Sequence, residues 1–275
     1  MEEPMNDINL DEATTLHLGS LPADGLTVFT LENDTIRGVM ASTTRMVAGM
    51  KALHGTGVLE TLVLGKAYTA AALLSATIKG NDRIVLKVDG DGPAGGFSVE
   101  CNADGDVRGR LFNTVFELDS APTSLDTAPL VGKGSISITR LMEGRTDPVV
   151  GTAALHSGQL AEDLSWYFQM SEQTRSAFTL GVHLETDGRV AGAGGLFLQA
   201  LPGASDESLD RVERLVLGLE PLGRAFAAGA ARMDLCLRWF PFFDYNHLDD
   251  KPARFFCGCS REKLGAYIEI GRAHV

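Results

Sequence analysis

The period of the hydrophobic residues changes along this chain, and that change limits the folds open to it. Residues 59–78 form a helical stretch whose surface is largely small or apolar, so this helix is expected to be packed on all sides. From Arg83 the period becomes two, as in RIVLKVDGDG, which is typical of strands. Helices and strands follow one another without a regular βαβ order. The sequence therefore predicts an α+β fold with a mixed core of sheet and helices.

Short turn sequences separate the predicted strands. Asn33 and Asp34 divide residues 26–43 into two strands, and Asp104 with Gly105 connects two strand-like runs downstream of Arg83. Asp-Gly between alternating runs favours a β-hairpin. Further strands are expected at 132–142, 148–156 and 176–202, and further helices at 45–54 and 159–173.

After Pro202 the strand pattern stops and the chain becomes helical. Ser205 or Asp206 can cap a first helix, and a second helical stretch covers residues 224–240. We therefore expect four segments, which are a loose acidic leader at 1–24, an α+β core at 25–202, a helical linker at 203–254, and the remnant of a small C-terminal domain at 255–275.

Charge and targeting features argue against two classes of partner. The chain carries a net charge of −12 without a basic cluster, so we expect it to bind neither nucleic acid nor an anionic membrane. The first residues have no basic and apolar signal-peptide pattern. The most apolar run, residues 67–78, is too short to cross a bilayer. We expect a cytoplasmic protein whose thiols are reduced.

Two glycine-rich stretches could be mistaken for ligand-binding loops. Residues 88–96, VDGDGPAGG, lack the Lys-Ser/Thr ending of a phosphate loop and are not followed by a helix. Residues 191–199, AGAGGLFLQ, lead into a strand instead of opening a helix. We interpret the first as a structural turn and the second as a bulge or a site of tight packing. A small-molecule enzyme with its site near these stretches stays open as an alternative.

Four cysteines carry the remaining chemistry. Cys101 and Cys236 lie apart in apolar contexts and are predicted to be inert core thiols. Cys257 and Cys259 are one residue apart, a spacing that commonly supplies two of the four ligands of a tetrahedral zinc site. Arg261 and Lys263 follow closely, and positive charge beside a thiol favours the reactive thiolate. The sequence predicts metal or redox chemistry here, and a thiol oxidoreductase is a third alternative.

Six stretches together resemble one family, the redox-regulated heat-shock holdases called the 33 kDa chaperonin family. They occur in the family's order and span most of the chain from about Leu26 onward. The matching stretches are KGNDRIVLKVDGDGP at 79–93, DVRGR at 106–110, GKGSISIT at 132–139, WYFQMSEQT at 166–174, GGLFLQALP at 194–202 and FCGCSREK at 256–263.

The resemblance implies a cytoplasmic chaperone and not an enzyme. Its N-terminal α+β core would handle unfolded or misfolded client proteins, with a homodimer open beside the monomer. Its linker would be helical, and its C-terminal domain would hold zinc through four cysteines in a C-x-C and a C-x-x-C pair. Cys257 and Cys259 would be the first ligand pair, and oxidation would join them in a disulfide, release zinc and unfold the linker to expose apolar surface.

This chain departs from the family pattern at its end. No C-x-x-C pair follows Cys259, and two thiolates cannot complete a structural zinc site. The last residues, IGRAHV at 270–275, match the translation of a widely used sequencing adapter. We therefore expect the authentic sequence to end near Glu269, with the zinc switch incomplete and zinc not stably bound.

Overall fold

The computed structural model describes residues 10–118, 120 and 124–256, and within them the chain forms eight helices and eleven strands. The helices are α1 Glu12–Ser20, α2 Thr44–His54, α3 Val58–Ser75, α4 Ala128–Val131, α5 Leu160–Ser171, α6 Asp206–Leu217, α7 Leu222–Ala227 and α8 Arg232–Trp239. The strands are β1 Gly25–Leu31, β2 Ile36–Ser42, β3 Arg83–Gly90, β4 Gly96–Asn102, β5 Asp106–Leu111, β6 Gly134–Leu141, β7 Val149–Ala154, β8 Ser176–Leu184, β9 Val190–Ala200, β10 Asn246–Lys251 and β11 Arg254–Phe255.

The strands form two sheets. The five-stranded sheet has the order β10-β1-β2-β9-β8, and every neighbouring pair in it is antiparallel. The six-stranded sheet has the order β11-β5-β4-β3-β6-β7, and it is antiparallel except where β11 runs parallel to β5. This arrangement confirms the predicted α+β fold class.

Helix α3 is the centre of the main core. It contacts strands of both sheets, and most of its side chains are buried, as its all-round apolar composition predicts. The Tyr68 hydroxyl donates a hydrogen bond to the Gly109 carbonyl at 3.0 Å, which ties the helix to β5. Although α3 is long and apolar enough to cross a membrane by composition, its burial between two sheets is that of a core helix.

The five-stranded sheet is buried on both faces. Its inner face, with Leu26, Val39 and Phe197, belongs to the main core around α3. Its outer face, with Phe29 and Met40, belongs to a second core under α6, α7 and α8. Because side chains alternate along a strand, each of these strands contributes to two separate cores.

The leader predicted to be loose contains helix α1. Asp11 caps it by accepting a hydrogen bond from the Thr14 amide at 2.8 Å, and α1 packs against α2. Leu18 and Leu21 lie against the main core. The helix has no fully buried residue, which is why its hydrophobic pattern is weak in the sequence.

The segment predicted as a helical linker is only partly helical. Helices α6 to α8 occupy its first part, but residues 246–251 form β10, which pairs with β1. The sequence NHLDDK is mostly exposed and poor in strand-forming residues, so its strand depends on the free edge of β1 and not on its own propensity. The boundaries of the four predicted segments stay a prediction.

Candidate functional site: an apolar sheet face covered by three helices

The outer face of the five-stranded sheet is a continuous apolar surface. Six large side chains from β1, β2 and β9 form it, and each of them is at most 2% exposed. Burying side chains of this size stabilises by about 1.5 to 3 kcal/mol each. The six are Phe29, Leu31, Ile36, Met40, Leu196 and Leu198.

Helices α6 to α8 cover this face with apolar side chains of their own. Aromatic rings meet at its centre, where the Phe29 ring lies 5.4 Å from that of Phe240 and 5.1 Å from that of Tyr245. The buried covering side chains are Val212, Leu222, Ala225, Phe226, Leu235, Cys236, Trp239 and Phe240.

Glycines allow α7 to lie directly on the sheet. A Cβ on Gly192 would stand 2.1 Å from the Gly223 carbonyl oxygen, and one on Gly181 would stand 2.7 Å from the Gly223 nitrogen. A Cβ on Gly194 would collide with the Phe226 ring at 2.2 Å. The glycine-rich stretch at 191–199 is therefore a site of tight packing, which is one of the two interpretations that the sequence allows.

The other glycine-rich stretch is also filled by backbone. A Cβ on Gly90 would stand 2.1 Å from the Val131 carbonyl oxygen, and Gly92 faces the backbone of Leu130. The Gly92 amide donates to Val131 and the Ala94 amide to Leu130. Residues 88–96 thus form a structural turn, as predicted, against α4. The loop geometry gives no support to an enzyme site at this place.

Helix α6 is attached to the core by the buried Val212, by three partly buried apolar side chains (Leu209, Leu215 and Val216) and by surface ion pairs. Arg175 at the start of β8 binds three carboxylates of α6, those of Asp206, Asp210 and Glu213, at 2.8 to 3.3 Å. Of the residues of α6, Val212 is buried. Exposed ion pairs contribute only about 0 to 1 kcal/mol each. With one fully buried side chain, this helix buries less apolar surface than the strands of the sheet below it.

A second exposed contact fixes the other side of α6. Arg211 forms an ion pair with Glu32, and its guanidinium lies 4.5 Å from the centre of the Phe243 ring. Ser205 caps the helix by accepting a hydrogen bond from the Ser208 amide at 3.2 Å. Ser205 is one of the two residues, Ser205 and Asp206, that the sequence predicts as the cap of this helix.

The two cysteines predicted to be inert are buried in different cores. Cys101 lies in the main core and Cys236 in the second core on α8. Burial raises the pKa of both thiols to about 12, so neither forms a reactive thiolate at neutral pH. The predicted position of both thiols in the core is confirmed.

The chain between α8 and the cysteine pair connects both sheets. Arg232 at the start of α8 donates from Nε to the Thr27 hydroxyl at 3.1 Å, and its Nη2 lies 3.7 Å from the Asp250 carboxylate on β10. After β10, strand β11 pairs with Asp106 and Val107 of β5. A rearrangement near β11 can thus reach the five-stranded sheet through β10.

A partly buried carboxyl group supports the sheet and α2 near the same edge. Asp24 accepts hydrogen bonds from the amides of Arg45, at 3.1 Å, and Met46, at 2.6 Å, at the N-terminus of α2. Burial raises the pKa of Asp24 to about 7, although these amides and the charges of Arg45 and Arg232 act in the opposite direction.

The predicted metal and redox pair, Cys257 and Cys259, lies outside the described residues. Within residues 10–118, 120 and 124–256, no group of three or more His, Cys, Asp or Glu side chains is placed to hold a metal ion. His247 instead lies 3.0 Å from the Asp250 carboxylate. The donor set in view is two thiolates, which is half of a tetrahedral zinc site.

Sequence reasoning did not identify the outer sheet face. Residues 26–31 and 194–200 are nearly continuous apolar runs, which is what strands buried on both faces show. That pattern identifies a doubly covered sheet. It does not indicate which of the two covering layers is the weaker one, because that depends on the contacts of α6 to α8.

Comparison with known proteins agrees with this architecture. A family model described as "Hsp33 protein" matches residues 24–272. The "33 kDa chaperonin" of Desulforamulus reducens is 38% identical over 86% of this chain and 80% of its own length. That of Geobacter sulfurreducens is 35% identical over 89% of this chain and 81% of its own.

A solved structure supports the same relationship. The crystal structure of the 33 kDa chaperonin of Thermotoga maritima, a heat shock protein 33 homolog, has a TM-score of 0.81. It is 27% identical, and the match covers 90% of this chain and 85% of that one. With a family match over most of its length and relatives above 30% identity, this chain belongs to the Hsp33 family of chaperones.

Proposed function

We propose that this protein is a redox-regulated holdase, which binds unfolding proteins under oxidative stress and prevents their aggregation. Its client-binding surface is the outer face of the five-stranded sheet. The observation that carries the proposal is the contrast between the two layers at this place. The sheet face carries six large apolar side chains that are fully buried, whereas α6 above it has one fully buried side chain and is otherwise held by partly buried apolar side chains and exposed ion pairs.

Release of α6, α7 and α8 would bring six large apolar side chains into contact with solvent. Exposed apolar surfaces of this kind are binding sites for other proteins. Unfolding proteins expose apolar segments of many sequences, and a flat sheet face rich in Phe, Leu, Ile and Met suits such varied partners. The clients are therefore defined by exposed apolar chain and not by a specific motif.

The regulator in this proposal is the pair Cys257 and Cys259. Oxidation removes two protons and two electrons from the two thiols and forms a disulfide, while hydrogen peroxide takes up both and is reduced to two molecules of water. Arg261 and Lys263 stabilise the thiolate that attacks the peroxide. The new bond restrains the chain directly after Phe256.

The link from the cysteines to the sheet is short. Strand β11 has two residues, and β10 is the strand that joins it to the covering helices. Strain after Phe256 would loosen the pairing of β11 with β5 and of β10 with β1. Arg232 would then lose Asp250, and α8 would lose one of its attachments to the edge of the sheet.

In this proposal the cysteine pair would supply only part of a zinc site. Cys257 and Cys259 would supply two thiolates, and a closed site requires two further ligands. A cytoplasmic location, where thiols are reduced until stress, fits this function. Non-enzymatic action fits it as well, since binding an unfolded client requires surface and no reacting group. A homodimer is compatible with the proposal and is not required by it.

The test is suppression of client aggregation, measured by light scattering of a chemically unfolded protein diluted into buffer. We compare the reduced chain, the peroxide-treated chain, and a Cys257→Ser/Cys259→Ser chain with and without peroxide. Peroxide should increase suppression by the parent chain severalfold and leave the serine variant unchanged.

A control separates the thiol switch from general oxidative damage. Cys101→Ser keeps the cysteine pair and removes a buried thiol, so it should respond to peroxide like the parent chain. Equal activation of the Cys257→Ser/Cys259→Ser chain would sink the redox assignment. If no state of the protein suppressed client aggregation, including a chain with its outer helices displaced, the proposed holdase function would be wrong.

A further inference from the structure

The six-stranded sheet ends in an edge strand with an open side. Strand β7 pairs with β6, and its other side has no strand next to it among the residues that the structure describes. Just after β7, the Leu155 amide donates to the Gly134 carbonyl at 2.9 Å. Because the bonds of an antiparallel ladder alternate, the backbone groups of Val150, Thr152 and Ala154 point away from the sheet. The edge therefore offers amide donors and carbonyl acceptors at every second residue.

The other edges of the two sheets are protected against a further strand. At β8, the Phe178 amide donates to the Ser165 hydroxyl of α5 at 3.3 Å. Strand β10 carries the charged side chains of Asp249, Asp250 and Lys251, and β11 has two residues. Strand β7 has the sequence VVGTAA without a charge or a proline, and most of its residues are exposed. An apolar edge without such protection is a site where another strand can pair.

Helix α5 continues the apolar surface beyond the edge of β7. It lies over the inner face of this strand, since a Cβ on Gly151 would stand 2.1 Å from the Tyr167 hydroxyl. Trp166 and Met170 lie about one turn apart on α5 and are 38% and 57% exposed. The His156 ring, just after β7, stacks on the Trp166 ring at 4.9 Å. These contacts place two large apolar side chains beside the open edge.

We propose that the edge of β7 binds an extended segment of an unfolding client as an additional antiparallel strand. This inference rests on the proposed holdase function and gives it a second contact, which does not require release of α6 to α8. Client residues opposite Val150 and Thr152 exchange backbone hydrogen bonds with them and share their outer face. The alternate client residues project to the inner face, beside Trp166 and Met170. The preferred segment is therefore extended, uncharged and apolar at every second residue.

A short peptide tests the strand pairing. The probe is a fluorescent, end-blocked Thr-Val-Thr-Val-Thr-Val peptide, whose anisotropy is measured with the reduced full chain. One version is N-methylated at the threonines, which removes the amides that face β7, and a matched version is N-methylated at the valines, whose amides face solvent. Binding should weaken roughly tenfold in the first version and stay within about twofold of the probe in the second. Absence of binding, or equal binding of all three peptides, overturns the proposal.

Variants of the protein test the same contact from the other side. Thr152→Pro removes an outward amide without removing a bond to β6, and Thr152→Val keeps that amide as the control. Met170→Glu places a charge on the apolar flank of α5 without changing β7, and Gln169→Glu adds the same charge at the neighbouring exposed position. Thr152→Pro and Met170→Glu should each bind the probe roughly fivefold more weakly, and both controls should bind like the parent. Parent-like binding by both test variants contradicts the site.

Two further measurements separate this site from other occupants and from the proposed function. Sedimentation of the parent chain alone detects a dimer, and a dimer that Thr152→Pro abolishes assigns the edge to a second copy and overturns the proposal. Client aggregation is measured with the oxidised chains as well. Suppression by a parent chain that does not bind the probe contradicts the β7 site alone. Probe binding by a chain that suppresses aggregation in no state supports strand pairing at β7 and contradicts the holdase.

Discussion

The Gly223 carbonyl oxygen of α7 lies 2.1 Å from where a Cβ on Gly192 of β9 would stand. Backbone of the covering layer thus touches backbone of the sheet, with no side chain between them. A methyl group at this point cannot fit unless α7 moves away. The fit of the covering helix therefore depends on two residues that carry no side chain.

Gly192→Ala is expected to displace α7 and expose part of the apolar sheet face without any oxidant. Gly223→Ala tests the contact of α7 with the neighbouring strand β8, where its Cβ would stand 2.8 Å from the His183 nitrogen. Both variants should suppress client aggregation under reducing conditions better than the parent chain. Gly19→Ala on α1 meets nothing within 4 Å and is the control. Parent-like binding of an apolar dye and of client by both variants would contradict the assigned surface.

Arg175→Gln is expected to loosen α6 alone. The substitution removes the one cation that pairs with three carboxylates of α6. The three exposed ion pairs together are expected to stabilise the helix by about 0.5 to 1 kcal/mol. Proteolytic cleavage within residues 206–217 should become about two- to fivefold faster, measured by mass spectrometry of a limited digest. Arg145→Gln, whose side chain has no ion pair among the described residues, should not change that rate. Equal rates in the two variants would show that Arg175 does not hold the helix.

The two buried thiols, Cys101 in the main core and Cys236 in the second core, test which of the two cores becomes exposed on oxidation. If peroxide releases α8, Cys236 becomes accessible, whereas Cys101 stays in the main core. We expect alkylation of Cys236 to rise at least tenfold after oxidation, while Cys101 reacts slowly in both states, as read from peptide masses. Protection of both thiols would mean that the second core stays closed. Labelling of both would mean global unfolding.

Zinc content should be below one tightly bound ion per monomer. Cys257 and Cys259 offer two thiolates, so tight binding requires two chains or ligands outside the described residues. Metal analysis of reduced protein, combined with sedimentation, measures ions per chain and chains per particle. One tight zinc in a monomeric particle contradicts this expectation.

The Asp24 carboxyl predicts a pH effect on stability with a definite sign. Burial raises its folded pKa to about 7, above the usual value of 3.8. The folded state then holds a proton that the unfolded state has lost between these values. The stabilisation is present at low pH and is lost as the pH rises toward 7.

An Asp24→Asn chain lacks this titration and is the reference. The stability of the parent relative to the variant should fall by about 2 kcal/mol between pH 5 and pH 8, measured by urea unfolding. If the parent chain instead gained stability over this range relative to the variant, the hydrogen bonds from the Arg45 and Met46 amides would lower the Asp24 pKa by more than burial raises it.

The elements with strong periodicity could be predicted from the sequence. Helix α3 and the hairpin at Asp104 and Gly105 depend on local pattern and turn chemistry, and both are present. The cap at Ser205 follows the same local logic. These features need no knowledge of distant residues.

The elements that could not be predicted from the sequence depend on contacts between residues that are far apart along the chain. Strand β10 forms because β1 offers a free edge more than 200 residues earlier, as the 223-residue separation between Thr27 and Asp250 illustrates. Helix α1 has little hydrophobic pattern because none of its residues is buried. The outer sheet face was not identified as a site, because its role depends on how weakly α6 is attached.

Double coverage of the five-stranded sheet has a consequence for how the molecule melts. Phe29 and Met40 can lose their partners while Leu26 and Val39 keep theirs, since the two sets lie on opposite faces of the same strands. The fold therefore contains two cooperative units that share one backbone. A calorimeter should record a small early transition for the outer unit and a large later one for the inner. Between those two temperatures the protein would be neither native nor denatured, and heat alone would expose the sheet face that we propose as the client-binding surface.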